Sequence, residues 1–147
     1  MKTVNKSVLI WYSPAEMYAL VTDVAHYPQF LPWCDHATVL GEDESGMTAE
    51  IGLSFGGIRQ TFTTRNTHHS GERVGMQLVK GPFSKLDGEW TFAPVGDGSQ
   101  RACKVTLLLN YGFASGTLGK LVGPVFDKIA ANLVDAFVKR AQAVYGD

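Results

Sequence analysis

Two short stretches of the sequence carry side chains that could do chemistry. Cys34, Asp35 and His36 are consecutive, and His68 and His69 are adjacent. A cysteine beside a histidine can act as a nucleophile pair, and both residue types also bind metals. On a strand, adjacent side chains point to opposite faces, so the two histidines cannot hold one ion together, whereas Cys34 and His36 could share a face. Because a metal site needs three or four ligands, we expect none here, and a Cys-His nucleophile stays open as an alternative to a solvated loop.

The densest apolar segment is AHYPQFLPWC, residues 25–34. Its two prolines restrict the residues that precede them, so the segment would present its side chains with little entropy left to lose on contact. Each large side chain could simply plug a core. As a set, they fit the rim of a site for an apolar ligand: Tyr27, Phe30, Leu31 and Trp33.

Helices are predicted on either side of residue 23. Ser13 followed three residues later by Glu16 is a capping box, which predicts a helix running to about Thr22. Asp23 can cap a second short helix, which Pro28 soon limits. An alternating apolar pattern before Ser13 predicts an amino-terminal strand.

From residue 36 to residue 111 the chain alternates strands and turns. Turn-forming clusters recur at EDESG (42–46), GG (56–57), HSGE (69–72), GPF (81–83) and VGDGSQ (95–100). These spacings suit antiparallel hairpins rather than crossover helices. They predict a meander of roughly six strands, which the amino-terminal strand would extend to seven.

The carboxyl-terminal segment changes to a helical period. Its apolar residues recur every three or four positions at Leu118, Leu121, Val122, Val125, Phe126, Ile129, Leu133, Phe137, Ala141 and Val144. This pattern predicts a long helix with one wide apolar stripe. An interior proline costs about 3 kcal/mol, so we expect the helix to start or kink at Pro124. The glycines at 116, 119 and 123 favour a loop before it, or alternatively a pliable gate beside a cavity.

The predicted elements imply an interior with room for a ligand. Seven strands would span roughly 30 Å if flat, whereas a helix is only about 10 Å across, so the sheet must curl around the helix and the ends of the groove need a lid or an occupant. The candidate lining residues, besides the four of the proline-rich segment, are Phe55, Phe62, Met76, Leu78, Phe83, Leu86, Trp90, Phe92, Leu121, Val122, Phe126 and Ile129. Donors for a polar head group could come from Arg59, Gln60, Gln77, Lys80 or Asn66.

Composition narrows the choice of partners. With 13 basic and 14 acidic residues the formal net charge is −1, so no DNA or other nucleic-acid partner is indicated by the overall balance. Cys34 and Cys103 do not make a disulfide framework, and two reduced thiols favour a cytosolic compartment. No apolar run is long enough to predict a signal peptide or a membrane span.

Three segments together resemble a known family: DVAHYPQFLPWC, LVKGPFSKLDGEWTFAP and VFDKIAANLVDAFVKRAQAVYG. They are similar to the START-like, helix-grip proteins of the coenzyme Q-binding branch, within the polyketide cyclase and lipid transport superfamily. Bacterial ribosome-association toxins belong to the same branch. The resemblance covers nearly the whole chain in the right order.

The resemblance implies an α+β fold, a single domain over residues 1–147 in which a curved seven-stranded antiparallel sheet wraps around the carboxyl-terminal helix. It further implies a tunnel for an isoprenoid quinone or similar lipid, and a quinone chaperone that supports respiration without turnover or cofactor. Mitochondrial members carry a presequence that this sequence lacks, so the resemblance implies a bacterial, cytoplasmic protein in transient contact with the inner membrane.

The sequence leaves two other functions open. The first is a toxin that binds the large ribosomal subunit and blocks subunit association, for which the sequence offers only a modest basic patch: Arg59, Arg65, His68, His69 and Arg73. The second is an enzyme related to polyketide cyclases and aromatases, which would need acid and base groups within reach of its substrate.

Overall fold

The computed structural model describes residues 2–146, and its main feature is one curved antiparallel sheet around a long helix. The strands are β1 (Lys2–Ile10), β2 (Cys34–Asp43), β3 (Gly46–Phe55), β4 (Ile58–His69), β5 (Arg73–Lys80), β6 (Phe83–Pro94) and β7 (Cys103–Phe113). The helices are α1 (Pro14–Thr22), a 3-10 helix (Val24–Gln29) and α2 (Gly116–Tyr145). The predicted fold class, an α+β helix-grip fold with a seven-stranded sheet, is confirmed.

The strand order explains how the sheet closes around α2. It is β1-β7-β6-β5-β4-β3-β2, so the five hairpins from β2 to β7 follow the chain and only β1 joins out of sequence, beside β7. Consecutive antiparallel strands joined by tight turns are what the glycine-rich clusters predicted. Apolar residues on alternate positions then form one continuous concave face.

The amino-terminal helices follow the predicted capping pattern in part. The Glu16 backbone N–H donates to Ser13 Oγ at 3.1 Å, and Glu16 Oε1 accepts from the Ser13 backbone N–H at 2.9 Å. Helix α1 ends at Thr22, as predicted. The second helix is a 3-10 helix that ends one residue after Pro28, but the side chain of Asp23 makes no cap hydrogen bond to it.

Helix α2 corrects the prediction for the glycine-rich segment. The helix begins at Gly116, where Ser115 Oγ accepts from the Leu118 backbone N–H at 3.1 Å, and it continues through Pro124 to Tyr145. The predictions of a loop over residues 116–123 and of a helix start at Pro124 are therefore wrong. Pro124 is exposed, so its missing N–H leaves a carbonyl that water can reach.

Side-chain hydrogen bonds join α2 to the sheet near its middle and to α1 at its carboxyl-terminal end. Tyr111 donates from its hydroxyl to Asp127 Oδ1 at 2.6 Å, and Tyr145 donates to the Glu16 carbonyl at 2.8 Å. Next to the first of these hydrogen bonds, Phe126 packs against Tyr111 with ring centroids 4.8 Å apart. Neither α1 nor α2, as described over residues 2–146, combines the length and apolarity that crossing a bilayer requires.

Candidate functional site

An apolar cavity of about 90 Å³ lies between the concave face of the sheet and α2. A lid covers it, consisting of the 3-10 helix and the loop that follows, residues 24–33. Nine of the sixteen predicted ligand-binding residues line this cavity: Tyr27, Leu31, Trp33, Phe62, Met76, Leu86, Trp90, Phe126 and Ile129. The remaining lining residues are Val24, Ala49, Ile51, Thr64, Asn66, Leu109, Ala130, Leu133 and Phe137.

The lid is held in place by hydrogen bonds of its own backbone and side chains. Tyr27 donates from its hydroxyl to the Val21 carbonyl at the end of α1. The Trp33 carbonyl accepts from the Ser54 backbone N–H at 2.7 Å, which ties the end of the lid to β3. Leu31 lies between these anchors and is 1% exposed. The two prolines thus lie in a segment that directs Tyr27, Leu31 and Trp33 over the cavity.

The other seven predicted residues lie away from the cavity. Phe83, Phe92 and Val122 are buried in the surrounding core, and Phe30 and Leu78 are partly buried against it. Phe55 and Leu121 are exposed at 44% and 53%. Phe92 shows why alternation alone could not separate the two groups, because it faces inward like Trp90 but is covered by the Tyr18 ring, 6.1 Å away.

Four of the five polar head-group candidates do not line the cavity: Arg59, Gln60, Gln77 and Lys80. Arg59 and Gln60 line a separate surface groove, where Arg59 Nη2 lies 3.4 Å from Asp35 Oδ2. Gln77 and Lys80 are exposed on β5. These four side chains could contact a ligand only outside the cavity.

The polar residues that do line the cavity are Thr64 and Asn66, neighbours on the inner face of β4. They are 6% and 8% exposed, and the Thr64 hydroxyl donates to Asn66 Oδ1 at 2.8 Å. Asn66 was only one of five donors that the sequence offered, and Thr64 was missed. The signal that could have found both is the alternation along β4, which places them on the same face as Phe62.

The Cys34 and His36 side chains do not form a pair, because a β-bulge separates them. Cys34 pairs with Leu53 and His36 with Gly52, so the register shifts by one residue between them and His36 leaves the inner face. Burial, followed by the charge of Asp35, raises the pKa of the Cys34 thiol to about 11. His36 Nδ1 instead lies 2.9 Å from Asp35 Oδ1 on the outer face.

The adjacent histidines, His68 and His69, point to opposite faces of the sheet, as strand geometry requires. His68 is half-buried and meets the ring of Tyr18 edge-on at 6.1 Å, and burial lowers its pKa. His69 is exposed. Within residues 2–146, no three histidine, cysteine, aspartate or glutamate side chains gather closely enough to hold a metal ion.

An antiparallel sheet curled around a carboxyl-terminal helix, with an apolar cavity between them, defines the helix-grip class of proteins. Residues 10–138 match the family described as polyketide cyclase / dehydrase and lipid transport. The chain belongs to this family, which confirms the resemblance drawn from its three sequence segments.

Relatives within the family align with this chain from end to end. A protein of Vibrio cholerae named ribosome association toxin RatA is 42% identical over 147 residues, which cover all of both chains. The RatA protein of Escherichia coli (strain K12) is 43% identical over 145 residues, covering 99% of this chain and 90% of that protein. A more distant relative is the coenzyme Q-binding protein COQ10 homolog B, mitochondrial, of Xenopus laevis, at 27% identity over 97% of this chain and 59% of that protein.

Solved structures share the same architecture. The 18 kDa protein CC1736 of Caulobacter crescentus superposes with a TM-score of 0.75 at 28% identity, with full coverage of both chains. The Zhui aromatase/cyclase of Streptomyces sp. R1128 superposes with a TM-score of 0.80 at 15% identity, covering 96% of this chain and 93% of that one. The second likeness concerns the fold alone.

Proposed function

We propose that this protein binds an isoprenoid lipid, a ubiquinone-like quinone or a close relative, in the cavity between the sheet and α2, and acts as a quinone chaperone in respiration. The observation that carries this proposal is an apolar cavity under a lid that directs Tyr27, Leu31 and Trp33 into it. A relative at 27% identity is named a coenzyme Q-binding protein. Burying one five-carbon isoprene unit contributes about 4 kcal/mol gross, so a few units suffice for useful affinity after the costs of association.

The chemistry of the lining supports binding without turnover. Among residues 2–146, no aspartate, glutamate, histidine, lysine, arginine or cysteine side chain lines the cavity. The ionisable group in this described lining is Tyr27, whose hydroxyl donates to the Val21 carbonyl and whose pKa is raised by burial. General acid-base catalysis needs a group that exchanges protons near neutral pH. A cyclase-like activity therefore lacks the groups it would need at this site.

The size of the cavity requires the protein to open when a lipid enters. An apolar cavity of about 150 Å³ is known to hold benzene. The cavity here, about 90 Å³, is too small for a substituted quinone ring with its tail. We therefore propose that the lid swings outward from α2, which breaks the hydrogen bond from Arg140 Nη2 to Gln29 Oε1, 3.2 Å long, and separates the Tyr27 and Phe30 rings from Phe137.

Contact with a membrane would supply the lipid. Phe55 is 44% exposed and Leu121 is 53% exposed, and the Lys128 ammonium lies 5.9 Å from the centroid of the Phe55 ring. Exposed apolar side chains beside a cation suit transient adsorption to an anionic bilayer. Since the relatives at 42% and 43% identity are bacterial proteins, we propose that the protein works in the bacterial cytoplasm, with transient contact at the inner membrane.

A second candidate function is interference with ribosome assembly, favoured by the names of the relatives at 42% and 43% identity. In this interpretation the protein would bind the large ribosomal subunit and block subunit association. The basic patch that the sequence offered is weakened, because Arg65 Nη2 donates to Asp43 Oδ1 at 2.8 Å. The exposed basic side chains of α2 are a better surface: Lys120, Lys128 and Lys139.

Extraction of the natively purified protein with organic solvent, followed by mass spectrometry, tests the first function. We expect a quinone or other prenyl lipid with the wild type and with Leu40→Asp, a control at a position 54% exposed, and none with Leu31→Asp. Because a buried charge can unfold the protein, Ala49→Leu, which fills the cavity, serves as the second variant. Ribosome profiles from cells that overproduce each variant test the alternative. A wild-type protein that carries no lipid and shifts profiles toward free subunits would overturn the first function and support the second.

A further inference from the structure

One polar pair interrupts the apolar wall of the cavity. The residues of β3 and β7 that line the cavity are apolar, namely Ala49, Ile51 and Leu109, whereas β4 carries Thr64 and Asn66 at consecutive inward positions. Valine or leucine at both positions would fit a strand at least as well and would bury no polar atom. Burying this polar pair therefore costs free energy, and packing alone does not explain why it is there.

The hydrogen bonds of the pair leave one donor group free. The Thr64 hydroxyl donates to Asn66 Oδ1 at 2.8 Å, which fixes the orientation of the amide. The Asn66 Nδ2 group carries two hydrogens, and no hydrogen bond from it to another residue is found within residues 2–146. Asn66 is 8% exposed and lines the cavity, so a ligand in the cavity can reach its side chain. A buried amide in this state is a donor that a ligand can satisfy.

We propose that Asn66, oriented by Thr64, donates a hydrogen bond from Nδ2 to a carbonyl oxygen of the bound ligand. This inference rests on the proposed lipid-binding function and narrows it. The site selects apolar ligands that carry an acceptor oxygen on a ring, such as a quinone, over hydrocarbons of the same shape. Asn66 is then the residue that recognises the head group, and Thr64 is a positioning residue that acts through Asn66.

The expected size of the effect follows from the cost of an unmade hydrogen bond. A hydrogen bond between neutral groups changes affinity by about tenfold, and leaving one partner buried and unpaired costs somewhat more. Removal of the Asn66 amide should therefore weaken a carbonyl ligand at least tenfold. It should leave a hydrocarbon unaffected or bound more tightly, because the cavity wall becomes wholly apolar.

Duroquinone and durene are the probes, since both are tetramethylated six-membered rings and only the first has carbonyl groups. Equilibrium dialysis with the delipidated full chain would measure both dissociation constants for the wild type, Asn66→Leu, Thr64→Val and the exposed control Asn132→Leu. We expect the wild type and Asn132→Leu to prefer duroquinone. We expect Asn66→Leu to lose that preference and Thr64→Val to lose part of it. The infrared carbonyl band of bound duroquinone should shift to lower wavenumber in the wild type and not in Asn66→Leu.

The outcomes separate this inference from the function on which it rests. Wild-type protein that binds both probes, with Asn66→Leu weakening them equally or not at all, would overturn the role of Asn66 and leave lipid binding intact. Wild-type protein that binds neither probe would overturn both. Urea unfolding of each variant checks that it is folded, and Asn66→Ala replaces Asn66→Leu if the larger side chain prevents folding.

Discussion

Two buried alanines of α2 provide a matched test of whether the cavity is usable room. Ala130 is 1% exposed and lines the cavity, whereas Ala141 is 0% exposed and does not line it. Leucine at either position adds three carbons, and alanine and leucine have similar helix propensities. The two substitutions therefore differ mainly in whether empty space receives the new side chain.

The magnitudes follow from the volume and from the apolar atoms buried. Three added carbons occupy roughly 80 Å³, and the cavity measures about 90 Å³. Each buried methylene contributes about 0.8 kcal/mol, and ordering a leucine side chain costs about 0.5–1 kcal/mol. We expect Ala130→Leu to raise the free energy of unfolding of the ligand-free protein by about 1.5 kcal/mol. We expect Ala141→Leu to lower it by about 2 kcal/mol, because overpacking a filled core strains it.

Urea unfolding of delipidated protein, followed by tryptophan fluorescence, measures both changes. The exposed Ala131 supplies a control on the same helix, and Ala131→Leu should stay within about 0.5 kcal/mol of the wild type. Ala130→Leu should also lose its co-purified lipid. A loss of stability equal to that of Ala141→Leu would refute the existence of usable space. A stabilised Ala130→Leu that keeps its lipid would show that the lipid binds elsewhere.

Two further predictions concern ionisable groups. The hydrogen bond from Arg101 holds the pKa of Glu16 at about 2, below its ordinary 4.5, so the carboxylate stabilises the fold above pH 4.5 and this stability is lost as the pH falls toward 2. Because the pair is partly exposed, Glu16→Gln should lower the free energy of unfolding by about 1 kcal/mol at pH 7. Urea unfolding should show this difference from the wild type disappearing between pH 4.5 and 2. A difference that does not depend on pH would contradict the role of the carboxylate. Burial raises the pKa of both thiols, Cys34 and Cys103, to about 11, so an aromatic disulfide reagent at pH 8 should label them slowly in native protein and rapidly in urea. Rapid stoichiometric labelling of the native protein would count against that burial.

The fold was predictable because its local signals agree with one another. Period-two alternation, glycine-rich turns and a capping box each specify a short segment, and the hairpin topology connects those segments in chain order. Alternation could not predict that Cys34 and His36 lie on different faces, because one extra residue in β2 reverses the face to which the following side chains point. Nothing in the residue types marks that bulge, although Gly52 accommodates it: a Cβ there would lie 2.2 Å from His36 Nδ1.

For the candidate site, the sequence could predict which side chains face the interior of the sheet, but not which of them line the cavity. Alternation identifies residues that face inward, and nine of the sixteen candidates do line the cavity. It does not tell which inward positions are filled by neighbours from elsewhere in the chain. Phe83 is a case in point, since the rings of Phe126 and Phe113 lie 4.9 and 5.4 Å from it and leave no space there.

The first two turns of α2 show how tertiary packing outweighs local propensity, and at what cost. Glycine in a helix costs about 1 kcal/mol relative to alanine, and proline about 3 kcal/mol, so the segment containing Gly116, Gly119, Gly123 and Pro124 is a poor helix by itself. Steric demand does not require these glycines, because a Cβ at Gly119 or Gly123 would make only ordinary contacts of 3.7 and 3.6 Å with the Phe113 ring or its Cβ. The helix there depends on its cap and on burial of one face. This segment of low helix propensity leads directly into the cavity-lining part of α2. We therefore expect it to move together with the lid when a lipid enters.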